Sequence, residues 1–316
     1  MSGERRHTVP GVDADTPTEI PAAGWWQVTR RAWSEAKADQ VPLLAAGVAF
    51  FGFLSLFPAI VAAVLTYGLV ADPAQIRSQA QDLTEAMPAS GRDLLLQQLD
   101  ALTSAPRQSL GIGVAIAVVA ALWSASGGVG YLLTAVNLAY DEEETRGFVG
   151  RKGLALGMTL GAVVFVLLAI GLFAAGAAIG GDLPTPLRIL LEALRLVLAV
   201  VLITVALAVV YRLGPDRNAP RMRWVSIGAV VATIIWLIAS IGFSLYVETF
   251  GNYAKTYGSL AAVVVLMLWL WLTACAVLLG AEVNAEAEQQ TARDTTKGEP
   301  RPLGQRNAVK ADSVPQ

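Results

Sequence analysis

Long apolar runs separated by short polar segments set the pattern of this chain. They lie at about 43–70, 110–139, 153–179, 187–211, 224–247 and 259–283. Each is long enough for a helix rising ~1.5 Å per residue to cross ~30 Å of hydrocarbon, which takes about 20 residues. The runs are almost free of Asp, Glu, Lys and Arg. In lipid, an isolated span satisfies its own backbone N–H and C=O groups only as a helix. The pattern therefore predicts an all-α integral membrane protein with six transmembrane helices within a membrane domain at 41–287.

The flanking segments predict four further features. Residues 1–22 mix Pro, Gly, Thr and acidic side chains, and 288–316 is polar with interspersed prolines, so both tails are expected to be disordered. Residues 23–40 form an amphipathic pattern with Trp25, Trp26, Thr29, Ala32, Trp33 and Ala36 on one helical arc and Arg30, Ser34 and Lys37 beyond it. That arrangement suits a helix lying in the membrane interface, its indoles at headgroup level and its cations near anionic lipid. The segment 72–108 is too polar to cross. Leu94, Leu95, Leu99 and Leu102 follow its break at Pro88 and Gly91, which points to an extracytoplasmic helical hairpin between the first two spans.

Composition sharpens this picture without changing it. The chain is 55% hydrophobic and 15% charged, with mean hydropathy +0.55, against about 25% charged residues in a soluble domain. Its first apolar run far exceeds a signal-peptide core and reads as a retained span. Seventeen of the 23 Lys and Arg residues fall in the termini and alternate loops on one side, six on the other. The positive-inside rule then places both termini in the cytoplasm, as an even number of spans also requires.

Candidate chemistry is sparse. The single His7 and single Cys275 exclude a His-based catalytic triad, a thiolate cluster and an intrachain disulfide. Phosphate-loop and dinucleotide fingerprints are absent, so no cofactor is expected. The acidic run 141–144 reads as a solvated loop, because adjacent carboxylates at a helix end splay rather than converge. Helix interruptions are the better lead. Pro58 in "SLFP" and the string "SASGGVG", with Ser124, Ser126, Gly127 and Gly128, fall near mid-membrane, where unwound backbone could face a ligand cavity. Gly153, Gly157 and Gly161, four apart, are expected to pack a neighbouring helix instead. In the fourth run Arg188, Glu192 and Arg195 share one face. Two readings stand open: Arg195 lies with Glu192 in a polar cavity, or the arginines snorkel to the outer interface.

Three strings resemble the YihY/BrkB family of bacterial inner-membrane proteins, also labelled virulence factor BrkB, over about 25–288. They are "GVAFFGFLSLFPAIVA", "ALWSASGGVGYLLTAVNLAYDEEETR" and the stretch from "YRLGPDRNAP" through "YGSL" to "GAEVNAE". Ala254 departs from the polar residue the family often has there, which weakens any claim of polar recognition in that loop. The resemblance implies a six-helix membrane protein; an older label, ribonuclease BN, has no metal-ligand or general-base constellation behind it in this sequence. The expected function is transport or translocation of an amphipathic or anionic, lipid-like envelope component, with a non-transporting membrane scaffold as the alternative. The expected pathway residues are Pro58, Ser124, Ser126, Gly127, Gly128, Glu192 and Arg195. Glu143, Glu144, Arg146, Glu282 and Asn284 are expected to meet at the cytoplasmic ends of the spans as a latch. Membrane lipids are the expected partners, a homo-oligomer is left open, and neither nucleic acid binding, enzymatic activity nor a bound metal is expected.

Overall fold

A computed structural model describes residues 9–70, 107–180, 184–249 and 259–315. Seven helices account for most of them: α1 (Ala22–Ala38), α2 (Val41–Val70), α3 (Arg107–Ala139), α4 (Phe148–Gly180), α5 (Thr185–Leu213), α6 (Met222–Thr249) and α7 (Ser259–Gln289). The last six are long and apolar enough to cross a membrane. Among the described residues the extended pairing is a single bridge, Pro220 to Thr296. The hairpin expected within 72–108 falls outside the described residues, apart from the start of α3.

The chain divides into two compact units. One comprises Gly52–Gly128, with the later part of α2 and the earlier part of α3. The other comprises Met1–Phe51 and Val129–Gln316. Within this larger unit α7 packs on α6 and α1, α5 on α6, and α4 on α5. Its core joins Val41 and Ala45 of α2, Ala135 and Val136 of α3, Tyr211 of α5, Ala229 and Ala232 of α6, and Leu278 and Ala281 of α7.

Two glycines let α6 and α7 touch backbone to backbone. A Cβ at Gly228 would stand 2.1 Å from the Gly280 carbonyl oxygen, and a Cβ at Gly280 would stand 2.5 Å from the Tyr211 hydroxyl and 2.6 Å from Ala232 Cβ. Asn284, one turn beyond Gly280, uses the proximity: its side-chain oxygen accepts from Gly228 N–H at 2.7 Å, and its amide donates to the Val225 carbonyl at 3.1 Å. By contrast a Cβ at Gly153, Gly157 or Gly161 would meet nothing within 4 Å. The packing role expected for that stripe is therefore corrected. Here α4 buries Ala155 and Thr159, while the three glycines are exposed.

The expected helix breaks are corrected too. α2 continues through Pro58, and α3 continues through Ser124, Ser126, Gly127 and Gly128. A glycine costs a helix only ~1 kcal/mol relative to alanine, less than an unsatisfied backbone group costs in lipid. The Ser126 hydroxyl folds back to the Trp123 carbonyl at 2.7 Å, so it satisfies itself within the helix.

The described parts of both tails are folded rather than disordered. Arg306 donates to the carbonyls of Ala292 (2.6 Å), Arg293 (3.1 Å), Arg301 (3.1 Å) and Ala311 (2.5 Å), while Asp312 accepts from the backbone N–H of Gly304 and Arg306 at 2.9 Å. The N-terminal segment joins them: Ala14 and Ile20 are buried with Val28, Trp224 and Ala287, and Ala292 N–H donates to the Val12 carbonyl at 2.7 Å. Composition does not register this order, because it comes from polar groups satisfying each other over long chain separations. α1 likewise departs from its expected arc. Gly24, Val28, Ala32 and Ala36 are buried on the side that meets α7, while Trp26 and Trp33 point outward at 70% and 58% exposure.

Substitutions at the two classes of glycine should part company. Gly280→Val should lower the thermal unfolding midpoint of detergent-solubilised protein by the equivalent of about 3 kcal/mol or prevent folding, because Tyr211 and the α6 backbone have nowhere to go. Gly127→Ala should be neutral or stabilising by up to ~1 kcal/mol, since its Cβ would meet nothing within 4 Å.

Candidate functional site

Two features of the larger unit stand out: an apolar groove among the spans and a charged, closed end. The groove has a volume of about 600 Å³ and is enclosed by α4, α5, α6 and α7; small-molecule sites run to ~300–1,000 Å³. Ala199 and Ile203 of α5, Phe165 of α4, and Trp236 and Trp269 form much of its wall. The two indoles meet edge to face with ring centres 6.1 Å apart. Trp236 Nε1 donates to the Thr273 hydroxyl at 3.0 Å, so the wall's polar atoms are spent on each other and an apolar surface remains.

Arg195 stands one turn before Ala199 and so on the same face of α5 as part of the groove wall. It is paired with Glu192, their side chains 19% and 45% exposed respectively. Arg188 is exposed. None of the seven expected pathway residues lines the groove. Pro58, Ser124, Ser126, Gly127 and Gly128 belong to the smaller unit, Glu192 and Arg195 to the larger. Ser126 and Gly128 are buried, Pro58 and Gly127 partly so, and Ser124 is exposed.

At the charged end the five expected latch residues do not form one group: Glu144 and Arg146 meet, and the other three lie apart from them. Arg146 donates to the carbonyls of Gly214 (3.0 Å) and Pro215 (2.7 Å) and pairs with Asp216 at 3.1 Å. Asn137 ties the same corner by donating to Glu144 at 2.9 Å and accepting from Asp216 N–H at 2.7 Å. This grip fixes the α5–α6 loop against the end of α3. Asn284 instead binds α6, Glu282 faces Asp39, and Glu143 is exposed.

The sequence reading missed the ion pairs on the last turns of α7. Glu286 accepts from Arg31 of α1 at 2.5 Å and from Lys310 of the tail at 2.7 Å. Glu288 accepts from Arg217 at 2.6 Å and from the Thr295 hydroxyl at 2.7 Å, and the Arg217 guanidinium lies 4.6 Å from the centre of the Tyr140 ring. Arg217 and Glu288 have no side-chain exposure, so each is costly without the other. The Glu282, Glu286 and Glu288 side chains at the end of an apolar run were the available signal. Their partners, 71 and 255 positions away or in the tail, were not.

Burial alone would raise the Asp216 carboxyl, but hydrogen bonds from the Thr145 hydroxyl and backbone N–H and the charge of Arg146 outweigh it and hold it below the usual carboxylate range. A depressed folded-state value contributes stability that is fully present above the unfolded carboxylate value, ~3.9, and fades as pH falls through the folded one. Asp216→Asn should cost about 2 kcal/mol at neutral pH, and the difference from wild type should shrink in acid below that carboxylate value, as read from thermal melts across pH.

Six membrane-length helices, a groove among four of them and an end closed by charge define a polytopic α-helical membrane protein. The chain belongs to the virulence factor BrkB family, whose model matches residues 32–303. It is 32% identical over 247 residues to the Bacillus subtilis ribonuclease-like protein YfkH, covering 76% of this chain and 87% of that one. It is 26% identical to a membrane protein of Aeromonas salmonicida over 80% of this chain and 86% of the other. It is also 28% identical to the membrane protein YihY of Escherichia coli over 61% and 65%. No solved structure matches.

Proposed function

We propose that this protein moves an anionic amphipath of lipid type across the bacterial inner membrane. The observation that carries the reading is the position of Arg195, one turn above a 600 Å³ apolar groove that opens among four spans. An acyl chain suits the groove, whose wall offers little for a polar ligand to bond. A phosphate or carboxylate headgroup suits the guanidinium, which presents bidentate donors. From Arg195 to Arg212 the helix rises ~26 Å, close to the thickness of the hydrocarbon core, so the two arginines bracket it and Arg195 falls at headgroup depth. The partners of this activity are membrane lipids.

The same reading sets both termini in the cytoplasm. Support comes from the seventeen-to-six distribution of Lys and Arg and from the packing of residues 9–21 on the segment after α7, which brings these two segments to one end of the larger unit. Cysteines placed at Ser2 and at Ser78 in a Cys275→Ala background should label oppositely with an impermeant thiol reagent on intact cells. Labelling of the Ser2 position from outside would invert the orientation.

Hydrolysis of RNA, which the name of the Bacillus relative suggests, is not favoured by a chain whose one histidine is His7. We therefore read the protein as a non-enzyme. Transport is testable in proteoliposomes carrying a fluorescent phosphatidylglycerol. Arg195→Leu should slow its translocation at least ~10-fold, the effect of losing ~1.4 kcal/mol of recognition. Arg195→Lys should recover it only in part, because an ammonium lacks the planar fork. Ala199→Phe, which fills the groove, should slow it with Arg195 intact. Unchanged rates in both the Leu and Phe variants would move the reading to a membrane scaffold.

A further inference from the structure

The charged end holds more acid than its cations match. Glu35 and Asp39 come from the end of α1, Asp141 from the turn after α3, and Glu282 and Glu286 from successive turns of α7. Into this group the C-terminal tail sends one ammonium. Lys310 Nζ lies 2.7 Å from Glu286 Oε1, 2.9 Å from Asp141 Oδ2 and 3.9 Å from Glu35 Oε1, and the residue is 3% exposed. Carboxylates from three elements thus surround a single three-donor point charge, which is the recognition a primary ammonium requires. Arg31 engages the opposite oxygen of Glu286.

Glu282 is left over. It is 1% exposed, and among the described residues no cation, amide or hydroxyl bonds its carboxyl; its hydrogen-bonding neighbour is the Asp39 carboxyl. Its neighbours are Asp39, Lys310, Glu286 and Glu35. Glu282 and Asp39 hydrogen-bond each other, which requires one proton held between two carboxyls with no cation beside them. Asp39 feels the same excess: burial first, then the negative charges of Asp141 and Glu35, push its carboxyl up. Lys310 therefore serves one part of an acidic cluster and leaves the adjoining part, a helical turn away along α7, without a cation.

We propose that this cluster is a binding site for a short aliphatic diammonium ion and that Lys310 occupies it as a tethered, displaceable substitute for one of the two ammonium groups. Glu286, Asp141 and Glu35 receive the first ammonium; Glu282 and Asp39 receive the second. Glu282 and Glu286 are one turn apart, ~6 Å along the helix, a span matched by a four-carbon chain between nitrogens. All five carboxylates lie within residues 32–303, the part of the chain that matches the family, whereas Lys310 lies beyond it. Arg306 and Asp312 hold the tail through backbone groups in addition to the contacts of Lys310.

The site can be tested on the full-length chain by adding 1,4-diammoniobutane at constant ionic strength. Lys310→Ala opens the cluster, and its thermal midpoint should rise saturably by several degrees. Tetramethylammonium, which has no N–H donor, should have no such effect, and Lys310→Ala with Glu282→Gln should lose most of the response. If the alanine variant does not fold, Lys310→Gln keeps a neutral donor at Glu286. Equilibrium dialysis of that variant against the labelled diamine should find one bound ion per chain, against a much weaker signal in wild type. Absence of a saturable response, an equal response to tetramethylammonium, or indifference to Glu282→Gln would overturn the assignment. These readouts are independent of lipid translocation, so either proposal can fail alone.

Discussion

The architecture of the larger unit turns on the backbone contact between α6 and α7. With hydrogen at Gly228 and Gly280 the two helices approach until Asn284 can bond the α6 backbone at both its amide atoms, and until Tyr211 of α5 can donate to the Val277 carbonyl at 2.6 Å. In lipid, helices gain little from apolar surface alone, because hydrocarbon solvates leucine as well as another helix does. Close approach and interhelical hydrogen bonds must supply the specificity instead. Everything further along α7, including the carboxylates at 282, 286 and 288, is aimed by this contact.

The six spans were legible because hydrocarbon imposes a single solution on a long apolar run, and their observed limits differ from the expected ones mainly by polar turns that extend beyond the apolar segment, as at Phe148–Lys152 and Glu286–Gln289. Which glycines mattered was not legible. Gly153, Gly157 and Gly161 have the regular spacing of a packing stripe, yet Gly228 and Gly280, isolated in their own helices, make the contact. Spacing describes one helix, whereas close approach depends on two. The expected unwinding at Ser124–Gly130 failed for a related reason, since local propensity is outweighed when every backbone group must be satisfied within its own segment.

Of the candidate site, Arg195 and Glu192 were legible as a pair because i, i+3 spacing on one helix guarantees proximity. The groove beside them was not, being assembled from four helices. The latch residues were legible as polar groups at helix ends, but their grouping was not. Arg146 serves the α5–α6 loop, Glu144 bonds Asn137 and Arg146, and Asn284 serves α6. The tail was misread for a different reason. Composition measures how much apolar surface a segment can bury, and residues 290–315 fold by burying Arg306 against four carbonyls and Lys310 against carboxylates.

Groove and charged end share α7, and this links them mechanically. Trp269, Thr273 and Val277 line the groove, Tyr211 donates to the Val277 carbonyl, and Gly280, Glu282, Asn284 and Glu286 follow within the next turns. A helix is stiff over so short a length, so a rotation or tilt of α7 that reshapes the groove also moves the carboxylates bound to Arg31 and Lys310. Glu286 and Lys310 are buried and Arg31 is partly so, and leaving the Glu286 carboxylate without its partners costs several kcal/mol, about the penalty of an uncompensated buried charge. The end of the bundle therefore resists changes in the groove as long as its charges are matched. The cation that matches them sits on the tail, at the end of the chain, where exchange for a mobile ion would alter that resistance without disturbing the packing of α6 on α7.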